Sequence, residues 1–475
     1  MKKNLAIMLV LVAGILVSQC QNSTPKEEEE EEVATGMIVP VPLSSNGINN
    51  FNYPEDSTLI NKWIMEQDDK AIAQHGWGIW TALNKETAQS YQKQKLRVFE
   101  TWLTPADMQA LIRATDKGEK MLMEEVKQHR GKLSKPNQFL HATTALAKAG
   151  VKPNYDSSRI LGFVKYDPTA AKFTVTNQLL KKSVLQGMLD RGMTDIPDFP
   201  NTGMTLKPVF EIITQEELNK NDGYFKLNVW SGPPATPRES PEGTWPDYVY
   251  IDPNNKGEGN GGVDNGGGRT PKNTYNLTDY VHFKLDAATA EDLKMSLGVS
   301  AEEGDIAVLV AMHVTSKEIK RWTWQTFWWT PDAVNPPAPS SAMIAAQMPT
   351  QLNGAPAHYA MAQAYTFINP DQPFTGGNNI GTSIYAYNPY LEAGFGPHVL
   401  SDPATVITNG KKVVNNYGVL TNCMSCHAHA NYAPATVKNA PNYLGDTYVD
   451  MEGANFKNTL KVDFAWSIPG NLMND

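Results

Sequence analysis

Residues Cys423-Met424-Ser425-Cys426-His427 read C-x-x-C-H, in a chain with three cysteines among 475 residues. Two thiols at that spacing can add across both vinyl groups of one haem, giving two thioether bonds. The histidine that follows then reaches the iron as proximal ligand. Two rival chemistries fit less well. A redox dithiol would sit in a βαβ pattern, which the surrounding sequence lacks. A zinc site needs two more ligands, and the sequence holds no second C-x-x-C and no H-x-x-x-H pair. The motif therefore predicts one covalent haem c on Cys423 and Cys426, with His427 on the iron.

The opposite iron face needs its own ligand. His429 is two residues past His427, too close to wrap around. Met451, in "TYVDMEGANF", is the leading candidate; Met473 is nearly terminal. An open or water-bound position, or a histidine from elsewhere in the chain, are the alternatives. Thioether sulfur raises the potential and favours electron transfer, whereas an open position permits ligand binding or peroxide chemistry.

Haem c is attached outside the cytoplasm, so the chain must be exported. Lys2 and Lys3 form a basic start, and Leu5 to Val17 an apolar run of 13 residues. That is short for a membrane span and right for a secretory signal. Cys20 follows, preceded by Gln19 where small residues are usual. Ordinary signal cleavage and an uncleaved anchor are therefore alternatives to lipidation at Cys20. One cysteine for lipid and two for haem leave none for a disulfide. Next comes a run of six glutamates, Glu27 to Glu32, which cannot pack and reads as an extended tether.

Formal charge is −9, and loss of Lys2 and Lys3 would make it −11. There is no basic stripe, so nucleic-acid binding is not expected. No later apolar run is long enough to span a membrane.

The supporting elements divide into a helical and a β-rich part. Residues 56–74 place Leu59, Trp63 and Ile64 on one side of a helix. A second helix starts at Thr104, with Pro105 in its first turn and Asp107 at the capping-box position. A third spans 176–192 and ends at Gly192. Aromatic stretches at 75–84 and 97–105 lie between the helices. Then come short β-type runs, "PVFEIIT", "GYFKLNVWSG", "DYVYIDP", "DYVHFKL" and "IAVLVAMHV", interrupted by a helix that Asp286 caps. The pair 306–314 and 320–329 reads as a hairpin, its first strand buried on both sides.

Trp322, Trp324, Phe327, Trp328 and Trp329 crowd into eight residues. Alternation puts Trp324 and Thr326 on one face and Thr323, Gln325 and Phe327 on the other, with Trp322 grouped with the first. Core packing is the plain reading, and an aromatic wall against the haem region the functional one. His313 beside it reads as a core histidine or as a distal haem-pocket residue. The loop 253–270 contains Gly257, Gly259 and Gly262 as G-x-G-x-x-G, but no helix follows, so the dinucleotide fingerprint fails. Asp252, Glu258 and Asp264 lack the calcium-loop spacing of an EF-hand. A flexible surface loop is expected there.

The expected fold is α+β and multidomain. Its parts are a lipoprotein signal at 1–19, an acidic tether at 20–36, a mainly helical domain at 37–204, a β-rich domain at 205–400, and a small, mostly helical haem domain at 401–475. A helix-like lead through Gly410 would precede the motif.

Residues 416–475 resemble the single-haem cytochrome c superfamily through C-M-S-C-H. The whole chain, with "AMHVTSKEIKRWTWQTFWW" and "NYGVLTNCMSCHA", looks like large bacterial lipoproteins of the cytochrome c family. Cys20 followed by acidic residues resembles the surface-export signal of Bacteroidota lipoproteins. The resemblance implies an extracytoplasmic outer-membrane lipoprotein, periplasmic or surface-facing, anchored in lipid through acylated Cys20. It would pass electrons through one haem to a redox partner protein. The alternative is a haem-dependent oxidoreductase with an open iron site, acting on peroxide, a nitrogen oxide or a small organic substrate. No H-E-x-x-H, phosphate loop or Ser/His/Asp order suggests a haem-independent enzyme.

Overall fold

β-branched and aromatic residues are densest in Ile306–Ser316 and Thr323–Trp329, and these two segments are the centre of the molecule. The computed structural model describes residues 38–119, 132–135, 159–235, 240–394, 405–408, 411–414, 422–434 and 448–474. The signal segment, Cys20 and the acidic tether lie outside these residues. The architecture is α+β.

A seven-stranded antiparallel sheet runs in the order Tyr359–Ala364, Thr323–Trp329, Ile306–Ser316, Met204–Ile213, Leu161–Gly162. Two short strands complete it: Lys165–Tyr166 on Met204–Ile213, and His282–Lys284 on Ile306–Ser316. The expected hairpin is present, closing at Ser316 opposite Thr323. Its first strand is buried along its length except at His313. Trp322, expected on the Trp324 face, instead precedes the strand, with φ of +64°.

Side-chain alternation separates two faces. Lys207, His313, Thr326 and Ala362 stand in one cross-strand row, and Thr205, Thr315, Trp324 and Ala364 in the next row of the same face. The opposite face carries Gln325, Phe327 and Met361 and packs on a helix, Asp69–Leu83. There the Trp80 ring stacks on Phe327 at 4.3 Å, and Trp77 lies 5.7 Å from it.

That helix departs from the expected one. The predicted 56–74 helix breaks at Gln67, which takes φ of +55°, and Asp68 caps a new helix through its carboxylate and the Ala71 amide. The new helix absorbs most of the aromatic stretch 75–84. Gly78 explains why it can lie so close to the body. A Cβ there would sit 2.2 Å from the Phe51 ring.

The helix capped by Thr104 forms as expected and runs Pro105–Asp116, its capping box closed by Asp107. The predicted 176–192 helix is instead two pieces, Pro168–Thr176 and Lys182–Asp190. Asp167 starts the first by accepting the Thr169 and Ala170 amides. Gly192 follows the second at φ of +81°. The Asp286-capped helix is Ala287–Leu297.

The lead into the motif is a hairpin, Thr405–Thr408 with Lys411–Val414, and not helical. Both segments are rich in β-branched residues, which outweighed the helical reading. After the motif helix, Cys423–Ala428, the described residues form the short pair Asn431–Tyr432 with Leu460–Lys461 and single 3-10 turns. The expected mostly helical character of 401–475 is therefore absent among the described residues.

Residues 36–475 form one compact unit. The divisions expected at 204/205 and 400/401 fall inside it. Strands at 161–166 pair with Met204–Ile213, and the motif helix packs on the sheet. Among the described residues no helix is long and apolar enough to cross a membrane.

The glycine loop is tied down by its acids. Asp252 accepts the Asn254 and Lys256 amides, and Asp264 accepts the Gly266 and Gly268 amides and the Tyr250 hydroxyl. Those carboxylates are engaged in holding the backbone.

Candidate functional site

Asn422 starts the motif helix. Its side-chain oxygen accepts the Ser425 amide at 2.7 Å, and its amide group donates to the carbonyls of Phe367 and Ile384 at 3.2 and 3.0 Å. The helix is thus anchored to the chain that follows the edge strand Tyr359–Ala364. Helical spacing puts Cys423, Cys426 and His427 on one side. These three keep partial contact with solvent, while Met424, Ser425 and Ala428 are buried against the body. The side that carries the chemistry is the side left accessible.

His427 is oriented by its neighbours. Its Nδ1 lies 2.8 Å from the Phe464 carbonyl oxygen. A carbonyl only accepts, so in the neutral ring Nδ1 carries the proton and Nε2 keeps its lone pair. The Trp324 ring lies against it, with centroids 4.3 Å apart. Trp466 Nε1 donates to the Cys426 carbonyl at 3.1 Å, and the Cys423 thiol to the Ala386 carbonyl at 3.2 Å.

A charged row of the sheet lies beside the thiols. His313 Nε2 is 3.0 Å from Glu392 Oε1, and Glu392 Oε2 accepts the Asn388 amide at 2.6 Å. Asn388 in turn donates to Thr326 Oγ1 at 2.7 Å. Burial pushes the Cys423 thiol well above the usual thiol range, and the Glu392 charge adds to the rise. Burial and Glu392 likewise push Cys426 up to about 12, with Lys207 opposing. Burial lowers Lys207 to about 8, against Glu392. Both thiols therefore stay protonated at neutral pH. Zinc sites and disulfide-exchange sites use the thiolate, which this environment disfavours. Among the described residues no group of three His, Cys, Asp or Glu could hold a metal ion.

The donor set fits haem attachment: two thiols one helical turn apart on the accessible side, and an imidazole whose Nε2 lone pair is kept by the hydrogen bond at Nδ1.

The other candidates lie elsewhere. Met451 is buried; its amide donates to the Phe374 carbonyl at 3.3 Å and its carbonyl accepts Lys461 Nζ at 2.7 Å. The Lys461 ammonium also approaches the Phe456 ring, on which His429 stacks at 6.2 Å. Burial lowers the pKa of His429 to about 4. Met451 thus shares neighbours with His429, whereas His427 meets Phe464 and Trp324. Met473 pairs its backbone with Leu180 and Lys182. His313 is held by Glu392 under the Pro389–Glu392 turn. Sequence reading found the three motif residues and the aromatic wall. It missed Glu392, Lys207, Trp466 and Phe464, which carry no local motif and reach the site only through the fold.

The chain matches no family model, no curated protein and no solved structure.

Proposed function

We propose that this chain is an extracytoplasmic c-type cytochrome, carrying one haem on Cys423 and Cys426 with His427 as axial iron ligand, and exchanging electrons with a redox partner protein. One observation carries the reading: the C-x-x-C-H turn folds as a helix whose histidine gives its Nδ1 proton to the Phe464 carbonyl. Bound there, haem would supply a one-electron iron couple. The Phe464 carbonyl makes His427 a stronger donor and holds its ring direction. Trp324 covers one side of the imidazole and keeps water from it. The buried Met424 and Ala428 fix the helix to the body, so the two thiols keep their spacing.

The cytochrome c-like C-terminal module belongs to this reading and is supported by the attachment helix; the strands and 3-10 turns around it would make it an unusual one. Export and a lipid anchor at acylated Cys20 complete the proposal, with the acidic run favouring the outer membrane and its outer face. These rest on the first 36 residues of the sequence.

Met451 is the proposed sixth ligand. The separate surroundings of Met451 and His427 favour a second reading, a haem oxidoreductase with an open iron site. A visible absorption spectrum decides between them, taken on protein matured with a haem c assembly system, oxidised and reduced, with and without carbon monoxide. A far-red methionine–iron band with no response to carbon monoxide supports the electron carrier. A high-spin spectrum that shifts with carbon monoxide supports the open site. Properly exported protein without covalent haem overturns both.

A further inference from the structure

The carbonyl that orients His427 sits in a turn that the sequence should disfavour. Val462–Ala465 closes with a hydrogen bond from the Ala465 amide to the Val462 carbonyl at 3.0 Å. Its two central residues, Asp463 and Phe464, have φ of +47° and +67°. Two consecutive positive φ values are the mark of a type I′ turn, whose second central position normally falls to glycine or asparagine. A bulky residue there is a backbone outlier, and it persists only where the surroundings over-determine it.

The surroundings are specific. Asp463 Oδ1 accepts Lys317 Nζ at 2.5 Å and Trp322 Nε1 at 3.2 Å, and its Oδ2 accepts the Phe199 amide at 2.9 Å. Lys317 and Asp463 are both buried, with side chains 5 % and 6 % exposed. Trp322 is buried and itself left-handed, at φ of +64°. Lys317 and Trp322 belong to the loop joining the two central strands, and that loop leads directly into Trp324, which packs on His427. The Val462 amide bonds to the carbonyl of Ala430, just past the motif helix. The turn is therefore held between the motif helix and the hairpin loop.

We propose that Lys317, Trp322 and Asp463 are positioning residues, which clamp the Val462–Ala465 turn in its left-handed form so that the Phe464 carbonyl fixes the tautomer and direction of His427. This rests on the reading of His427 as an iron ligand. A paired buried charge suits the task, because removing either partner leaves the other buried and unpaired, and the turn cannot relax cheaply. Asp463 also tolerates the left-handed region better than most residues, so the strain falls on Phe464.

Two measurements on the full chain test the clamp. In the haem-free protein, long-range proton–nitrogen NMR of the imidazoles reports the His427 tautomer. Wild type is expected to show Nδ1–H alone. D463A and K317M are expected to show a mixture of tautomers. D463N keeps an oxygen acceptor and the left-handed preference, and is expected to restore most of the wild-type signal. In haem-loaded protein, D463A and K317M are expected to raise the reduction potential with no change in the mass of the covalent adduct, since a free Nδ1–H makes His427 a weaker donor. Folded D463A and K317M with wild-type tautomer and potential would overturn the clamp. Should D463A not fold, K317M and W322F decide by the same readouts. Wild-type protein with no covalent adduct would refute the functional reading alone, and the tautomer measurement would still judge the clamp.

Discussion

At the residue scale, Cys423 and Cys426 are separable. C423A and C426A are each expected to leave one thioether, and the double variant none; intact mass after denaturation counts them. Covalent haem on the double variant would move the attachment site elsewhere. The high thiol pKa values bear on handling as well as on chemistry. Both cysteines are held as thiols by burial and by the Glu392 charge, so neither is a strong nucleophile at neutral pH. The motif residues were legible because their chemistry depends on spacing along the chain. Phe464 was not, since a main-chain carbonyl has no residue-type signature.

At the element scale, the helix Asp69–Leu83 is held to the body through its glycines. Gly78→Ala is expected to destabilise by roughly 1–3 kcal/mol, because the Phe51 ring occupies the space a methyl would need. Denaturant unfolding monitored by tryptophan fluorescence measures it; a neutral result would mean that Phe51 moves aside freely. The same close approach explains why this helix was only half seen in the sequence. Its aromatic stretch, "HGWGIWTAL", is buried all along, so no amphipathic stripe marks it. The Pro105–Asp116 helix was seen because its capping box is local. The hairpin Thr405–Val414 was misread as helical through the resemblance to cytochrome c domains.

At the scale of the whole molecule, buried carboxyls give the fold a pH dependence. Burial raises Asp167 from 3.8 to about 6, despite the amides of Met204, Ala170 and Thr169 that bond it. Glu211 and Glu242 are both raised, by burial first; at Glu211 the Glu242 charge adds to the rise, whereas at Glu242 the hydrogen bond to Glu211 offsets part of it. A raised carboxyl binds its proton more tightly when folded. Its stabilisation is full below the unfolded pKa and is lost as pH rises through the folded one, about 3 kcal/mol for Asp167. Thermal unfolding is therefore expected at higher temperature at pH 5 than at pH 8, and D167N should flatten that slope. A midpoint that rises from pH 5 to pH 8 would contradict this assignment. Asp198 shifts the other way beside Lys320 and Lys317, but it lies near the surface and solvent screening weakens it.

Spacing, capping and alternation are local, and what depended on them was settled by the sequence. The haem-type motif, the Thr104 and Asp286 caps, the central hairpin and its two faces all follow from residues a few positions apart. Contacts between distant segments were decided only in three dimensions. The single body spanning 36–475 arises because strands near 161–166 and 359–364 complete a sheet begun elsewhere. The surroundings of His427 come from Trp324 and Phe464, on opposite sides of the motif in sequence. Pairing across long loops depends on the closure and packing of the whole chain, and no window of neighbouring residues encodes it.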